Sequence, residues 1–157
     1  MLGQFRFCIR SVFFIAACIR LTVGALAQEP YPFEEYPAPT SFRGKPAAPI
    51  LDSPKARLYR TTIRYAAKRG PDFAGHYTIA MWGCGSQCTH FVIIDAQTGR
   101  VYVPSVGVSF SLAGPIYRLD STLLVTEQEA SMSGPNRLDY YNWSGSKLVH
   151  LKTVRLP

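Results

Sequence analysis

Residues 82–90 read WGCGSQCTH and hold the densest set of reactive side chains in the sequence. Cys84 and Cys88 are separated by three residues, and His90 follows two positions later. This set could form a disulfide, a thiol redox centre, a zinc site completed by His76, or a cysteine nucleophile with a histidine base. The choice depends on the compartment and on the elements that hold the stretch.

The first 27 residues have the composition of a secretory signal peptide. A short basic start precedes the apolar run 11–19, and the segment ends in Ala-Leu-Ala at Ala27. We therefore expect cleavage after Ala27 and a secreted or periplasmic protein. Arg20 interrupts the apolar core, and residues 15–18 (IAAC) have the form of a lipobox. An alternative is thus a lipoprotein anchored to the membrane through Cys18.

Both locations favour a disulfide over the other chemistries. Beyond the leader the sequence keeps only Cys84 and Cys88, and two neighbouring cysteines in an oxidising compartment pair most simply with each other. Redox proteins place two residues between their cysteines at a helix N-terminus, whereas three residues intervene here in an expected β-turn. A strand of roughly 20 Å separates His76 from the loop. We predict a stapled turn and expect no metal, cofactor or catalytic residue.

The stretch from residue 73 to 155 is predicted to form strands without intervening helices. The expected strands are 76–82, 89–95, 100–103, 106–110, 116–119, 122–127, 137–143 and 147–154. Short turns rich in Gly, Asp and Ser connect them, which is typical of antiparallel hairpins. The predicted fold class is mainly β (α+β): a curved antiparallel meander forming a small barrel or a sandwich-like sheet.

One helix, residues 53–69, is expected to pack on this sheet. Ser53 is a favourable N-cap, Pro54 suits the first helical position, and Gly70 followed by Pro ends the helix. The core-facing positions at helical spacing are Tyr59, Ile63, Ala66 and Ala67, with Leu58 and Thr62 beside them. The helix would therefore cover one face or one end of the sheet.

A basic stripe lies on the other side of this predicted helix. Its members, spaced by three, four and four residues, are Arg57, Arg60, Arg64 and Lys68. The stripe is either a solvated face or a contact for an anionic surface such as lipid or glycan. Loss of the three leader arginines would lower the formal charge from +7 to +4. This moderate charge is compatible with anionic partners such as lipopolysaccharide, acidic glycans or nucleic acid, of which nucleic acid is not expected.

Residues 28–52 contain six prolines and show no periodicity. Proline fixes φ and removes a backbone donor, so this segment is predicted to be an extended arm or a linker. Two alternatives remain: a flexible spacer, or an arm whose Tyr31, Phe33 and Tyr36 lie across the domain surface. The predicted organisation is a signal peptide at 1–27, the arm or linker at 28–52 and one domain at 53–157.

The pattern FAGHY at 73–77, WGCG at 82–85 with Cys88, and IID at 93–95 followed by TGRVY at 98–102 resembles a group of uncharacterised secreted bacterial proteins. The run YYNW at 140–143 before a Ser-Gly-Ser turn fits the same group. The resemblance covers the chain after residue 73. It implies a secreted location and brings no activity with it.

We predict a secreted or periplasmic, non-catalytic binding or structural domain of unknown ligand that presents the stapled loop. The partner is left open between an envelope protein and an anionic surface such as lipid or glycan. The candidate binding residues are Trp82, Gly83, Gly85, Ser86, Gln87 and His90, with the Cys84–Cys88 disulfide holding them. The alternative is an envelope enzyme, or a thiol-redox or metal protein, that uses the two cysteines with His76 or His90.

Overall fold

The computed structural model of the protein describes residues 31–39, 41–86, 88–106, 108–109, 114–128 and 136–156. The predicted leader and Cys18 lie outside these residues. The helices are α1 (Pro54–Leu58) and α2 (Arg60–Arg69). The strands are β1 (Tyr77–Gly85), β2 (Cys88–Asp95), β3 (Val101–Tyr102), β4 (Val108–Ser109), β5 (Ile116–Tyr117), β6 (Leu123–Gln128), β7 (Arg137–Trp143) and β8 (Leu148–Arg155).

The eight strands form two antiparallel sheets. In the first sheet β2 is central: β1 pairs along one edge, while β3 and β4 pair with opposite ends of the other edge. The second sheet has the order β5-β6-β7-β8. The predicted mainly β, antiparallel class is confirmed. Among the described residues the sheets stay separate, so the sandwich-like alternative is right and the closed barrel is wrong.

The first sheet is buried on both faces. Along β1 and β2 alternate side chains point to opposite sides. Ile79 and Phe91 join a core with Leu124, Tyr141 and other residues of the second sheet. The intervening side chains, among them Ala80, Val92 and Ile94, pack against the helices. Burial on both faces explains the unbroken apolar runs of these two strands.

The predicted single helix 53–69 is wrong in one respect, because the structure interrupts it at Tyr59. This residue has φ −101° and ψ 25° and separates α1 from α2. The predicted ends are confirmed: the Ser53 hydroxyl accepts a hydrogen bond from the Ala56 amide at 3.1 Å, and Gly70 follows α2 with φ +86°. The helices therefore begin and end where the capping residues indicate, with a change of direction between them.

The segment 31–39 lies across the outer face of the second sheet. Phe33 is buried against Leu123, Val125 and other side chains of that face. The Ser121 hydroxyl donates to the Phe33 carbonyl at 2.9 Å. Arg118 forms an ion pair with Glu34 at 2.8 Å. Residues 31–39 therefore form an arm that lies across the domain surface, which is the second of the two alternatives for this region.

The turn between β2 and β3 holds the chain that precedes the helices. The Asp95 carboxylate accepts from the Gln97 amide at 2.8 Å and from the Thr98 hydroxyl at 2.7 Å. Gly99 has φ +78°, and a Cβ built on it would lie 2.1 Å from the Ala48 carbonyl oxygen. This close approach requires glycine. The segment 47–50 is thereby fixed beside the end of the first sheet.

Candidate functional site at the hairpin tip

The disulfide between Cys84 and Cys88 closes the tip of the β1–β2 hairpin, with the two Cα atoms 5.1 Å apart. Gly83 pairs with Thr89 and Gly85 with Cys88, so the register shifts between the two glycines and Cys84 is the additional residue. Gly85 has φ +129°, a conformation that other residues rarely adopt. The bulge and the turn thus place both cysteines within bonding reach.

The tip projects away from the layered domain. Residues 83–86 are exposed, and a Cβ built on either Gly83 or Gly85 would meet no other atom within 4 Å. Gln87, also predicted as a binding residue, lies outside the described residues. Among the tip residues that the structure describes, the accessible groups are the backbone, the disulfide and the Ser86 side chain. These residues form a narrow projection.

Trp82 braces the base of the tip. Its ring is half-buried and stacks on Tyr59, with centroids 4.1 Å apart and planes inclined by 18°. Its Nε1 atom is buried and has no hydrogen-bond partner. Trp82 is a predicted binding residue beside the loop, and in the structure its ring packs on Tyr59 at the junction of the helices.

His90 lies opposite Trp82 across the hairpin. The two rings have centroids 6.1 Å apart, and the His90 Nδ1 atom is 3.5 Å from the Lys55 Nζ atom of α1. Sequence reasoning missed Lys55, because its spacing lies outside the predicted basic stripe. Together Tyr59 and Lys55 connect the base of the tip to the junction of the helices.

The structure does not bring His76 to the cysteines. His76 precedes β1, at the far end of the hairpin, where its ring lies against Tyr77 and its Nε2 atom is 4.0 Å from Asp95. In the part of the chain that the structure describes, no group of three or more His, Cys, Asp or Glu side chains is arranged to hold a metal ion. His90, by contrast, lies on the same strand as Cys88, two residues further along the chain.

The four residues of the predicted basic stripe, Arg57, Arg60, Arg64 and Lys68, are all exposed on the helices. Arg57 donates to the Asp52 carbonyl at 2.6 Å, which holds its side chain back along the chain. Arg64 and Lys68 instead line a groove of about 650 Å³ whose opposite wall is the segment 45–49. Lys45 at this wall is a further cation that helical spacing alone could not have found.

A half-buried carboxylate, that of Asp72, joins the helices to both sheets at some distance from the tip. The Asp72 Oδ1 atom accepts from the Ile79 amide at 2.8 Å, and Oδ2 lies 3.5 Å from the Tyr117 hydroxyl. Burial raises the pKa of Asp72 above its usual value, and burial beside this carboxylate raises the pKa of Tyr117 to about 12. The Arg69 Nη2 atom lies 3.6 Å from the Asp72 Oδ2 atom. Through Asp72, Arg69 at the end of α2 is therefore connected to the strands.

Neither α1 nor α2 is long and apolar enough to cross a bilayer, and the described residues contain no other candidate span. Comparison of the chain with known proteins finds no family model, no curated protein and no solved structure that matches it.

Proposed function

We propose that this protein is a secreted or periplasmic, non-catalytic binding domain that uses its disulfide-closed hairpin tip as a rigid recognition loop. The observation that carries the proposal is the exposed run 83–86, which is closed by a disulfide and continuous with two core strands. A loop that is already held in one shape loses little conformational entropy when it binds. A narrow projection of this kind suits a concave partner surface.

The base of the tip supports the same proposal. The stack of Tyr59 on Trp82 and the contact between Lys55 and His90 join the hairpin to the helices just below the exposed residues. Gly83 and Gly85 themselves have no side chains that would have to be ordered on binding. The tip therefore offers its backbone and Ser86 in a fixed arrangement.

Photo-crosslinking from the tip tests the proposal. A photoreactive residue at Ser86 should give a discrete adduct in the native envelope, and one at Ser146 should not. Ser146 is a matched control, because it is also exposed and lies in a hairpin turn, between β7 and β8. An excess of unlabelled oxidised protein should abolish the adduct, whereas the C84S/C88S variant should compete poorly. Equal adducts from both positions, or equal competition by the variant, would contradict the tip proposal.

The proposed location and the oxidised state are tested by the intact mass of protein isolated from the envelope. Cleavage after Ala27 and lipidation of Cys18 give different masses. Without reductant, alkylation should leave the mass of the domain unchanged, because Cys84 and Cys88 are bonded to each other. Two alkylated thiols, or zinc that purifies with the protein, would instead support the thiol-redox or metal alternative.

A further inference from the structure

Positive charge is concentrated in one part of this chain. Residues 41–72 contain eight lysines and arginines and two aspartates, whereas residues 73–157 contain six basic and five acidic residues. The basic part forms α1 and α2, which pack on the outer side of the first sheet, and the segment that precedes them, of which residues 47–50 lie beside the end of that sheet. One face of the layered domain is therefore strongly cationic.

The same face carries the most exposed large hydrophobic side chains of the described residues. Leu58 and Tyr65 are each 69% exposed and Ile50 is 51% exposed, while Val149, the next in rank, is 41% exposed. A single exposed leucine needs no explanation. Exposed leucine and tyrosine among cations on a helix surface are, however, the composition of segments that lie in the interface of a membrane.

The geometry of α2 places Tyr65 and Lys68 on the same exposed side of the helix. In α2, Ile63 and Ala66 face the sheet, whereas Tyr65 and Lys68 are exposed. At about 100° per residue, Tyr65 and Lys68 point within roughly 60° of each other and away from the sheet. Leu58, the last residue of α1, is equally exposed and lies on the other side of the interruption at Tyr59.

The groove beside α2 completes this surface. Lys45, Arg64 and Lys68 are its cations, and the described residues that line it include no acid. Its wall at 45–49 contains two prolines, which have no amide donor, and alanines. A volume of about 650 Å³ exceeds the needs of a simple inorganic anion and suits a phosphate group joined to an apolar glycerol ester.

We propose that the α1–α2 face docks on a bilayer of anionic lipid. Arg64 and Lys68 attract the surface, the groove takes a lipid headgroup, and Leu58 and Tyr65 enter the interfacial layer. Charge complementarity and the exposed hydrophobic pair lead independently to this partner. The proposal goes beyond the recognition loop and does not depend on it, because the tip residues contribute nothing to this surface.

Vesicle flotation tests the docking with purified full-length mature protein. Wild-type protein should float with equimolar phosphatidylcholine and phosphatidylglycerol and not with phosphatidylcholine alone. Each lysine or arginine near an anionic surface strengthens binding about fivefold. The R64Q/K68Q variant should therefore partition about thirtyfold more weakly. The L58Q/Y65Q variant should bind the vesicles about tenfold more weakly, as expected if the two side chains are partly buried in the bilayer interface.

Matched controls separate docking from general effects of charge and apolar area. K147Q/R155Q removes two exposed cations near or on β8, and V149T/L151T removes two exposed hydrophobic side chains from the same strand. Both controls, and the C84S/C88S variant, should bind vesicles like wild type. If K147Q/R155Q weakens binding as much as R64Q/K68Q, the attraction is one of net charge and the proposal is overturned. It is also overturned if L58Q/Y65Q binds normally while heparin binds wild type more tightly than the vesicles do, because a soluble polyanion is then the partner.

Discussion

The Tyr59 ring lies flat on the Trp82 ring, 4.1 Å away, at the residue where the helix changes direction. This contact connects the helical layer to the base of the projecting hairpin. Tyr59 has helix on both sides and Trp82 is three residues from the exposed Gly85. The stack thereby couples the position of the helices to the position of the tip.

Replacement of Tyr59 by leucine should lower the free energy of unfolding by about 1 kcal/mol, because it removes the aromatic pair while keeping an apolar side chain. A double-mutant cycle with Trp82→Leu, followed by urea denaturation, measures the coupling directly. The matched control is Tyr65→Leu on the exposed face of α2, which should change stability little. A coupling near zero between positions 59 and 82 would show that the rings contribute only by burial.

Gly99→Ala should lower the free energy of unfolding by about 3 kcal/mol, through backbone strain at positive φ and overlap with the Ala48 carbonyl. Gly83→Ala is the control, since a Cβ there meets no other atom within 4 Å. That variant should remain within about 0.5 kcal/mol of wild type. Thermal unfolding of both proteins, measured by circular dichroism, gives the comparison. Equal stabilities would contradict the close approach between the turn and the segment 47–50.

Phe33→Ala should destabilise the protein by about 3 kcal/mol, because it empties a buried site between the arm and the second sheet. Hydrogen exchange should accelerate first at the Thr122 amide, which donates to the Tyr36 carbonyl at 2.8 Å. The exposed Glu35 is the control position, and Glu35→Ala should leave both quantities nearly unchanged. Unchanged exchange at Thr122 in the Phe33 variant would mean that the arm stays docked without the ring.

Asp72 and Asp120 should give opposite pH dependences of stability. Burial raises the pKa of Asp72 in the folded state, so its favourable contribution is present below the unfolded value of 3.8 and is lost as the pH rises through the folded pKa. As the pH rises from below 3.8 to above the folded pKa of Asp72, the stability of Asp72→Asn should therefore increase relative to that of wild type. Urea denaturation from acid to neutral pH measures this difference.

The Arg118 guanidinium holds the pKa of Asp120 below its usual value, so the contribution of Asp120 is present above 3.8 and is lost on acidification through the folded pKa. Asp120→Asn should therefore lose stability relative to wild type as the pH rises. The two variants act as controls for each other, because a general effect of charge would shift the stability difference from wild type in the same direction for both variants.

Local patterns in the sequence predicted the elements of this fold well. The eight strands, the stapled hairpin, the Ser53 cap and the end of the helix at Gly70 depend on neighbours within a few residues. The assignment of strands to the two sheets could not be predicted, since β3 and β4 share one edge of β2 and no local signal selects that pairing.

The rest of the candidate sites depends on contacts between distant residues. The groove exists because the Ala47 amide donates to the Ala96 carbonyl at 2.8 Å, which fixes the segment 45–49 beside α2. In the same way, the sequence indicates that Trp82 belongs to the loop, and only the packing of the helix places Tyr59 over it. Residue types alone therefore predict the chemistry of a surface, whereas its shape depends on contacts between residues that are distant in the sequence.

The docking of the arm sets an order on folding during synthesis. Phe33 packs on β6 and β7, and Leu156, which follows β8, packs on the same cluster. Contacts across such long stretches of chain form slowly, because a large loop must close first. During synthesis the arm leaves the ribosome roughly a hundred residues before its docking site on β6 and β7. The arm must therefore remain undocked until β6 and β7 have emerged, which is late in the synthesis of the domain.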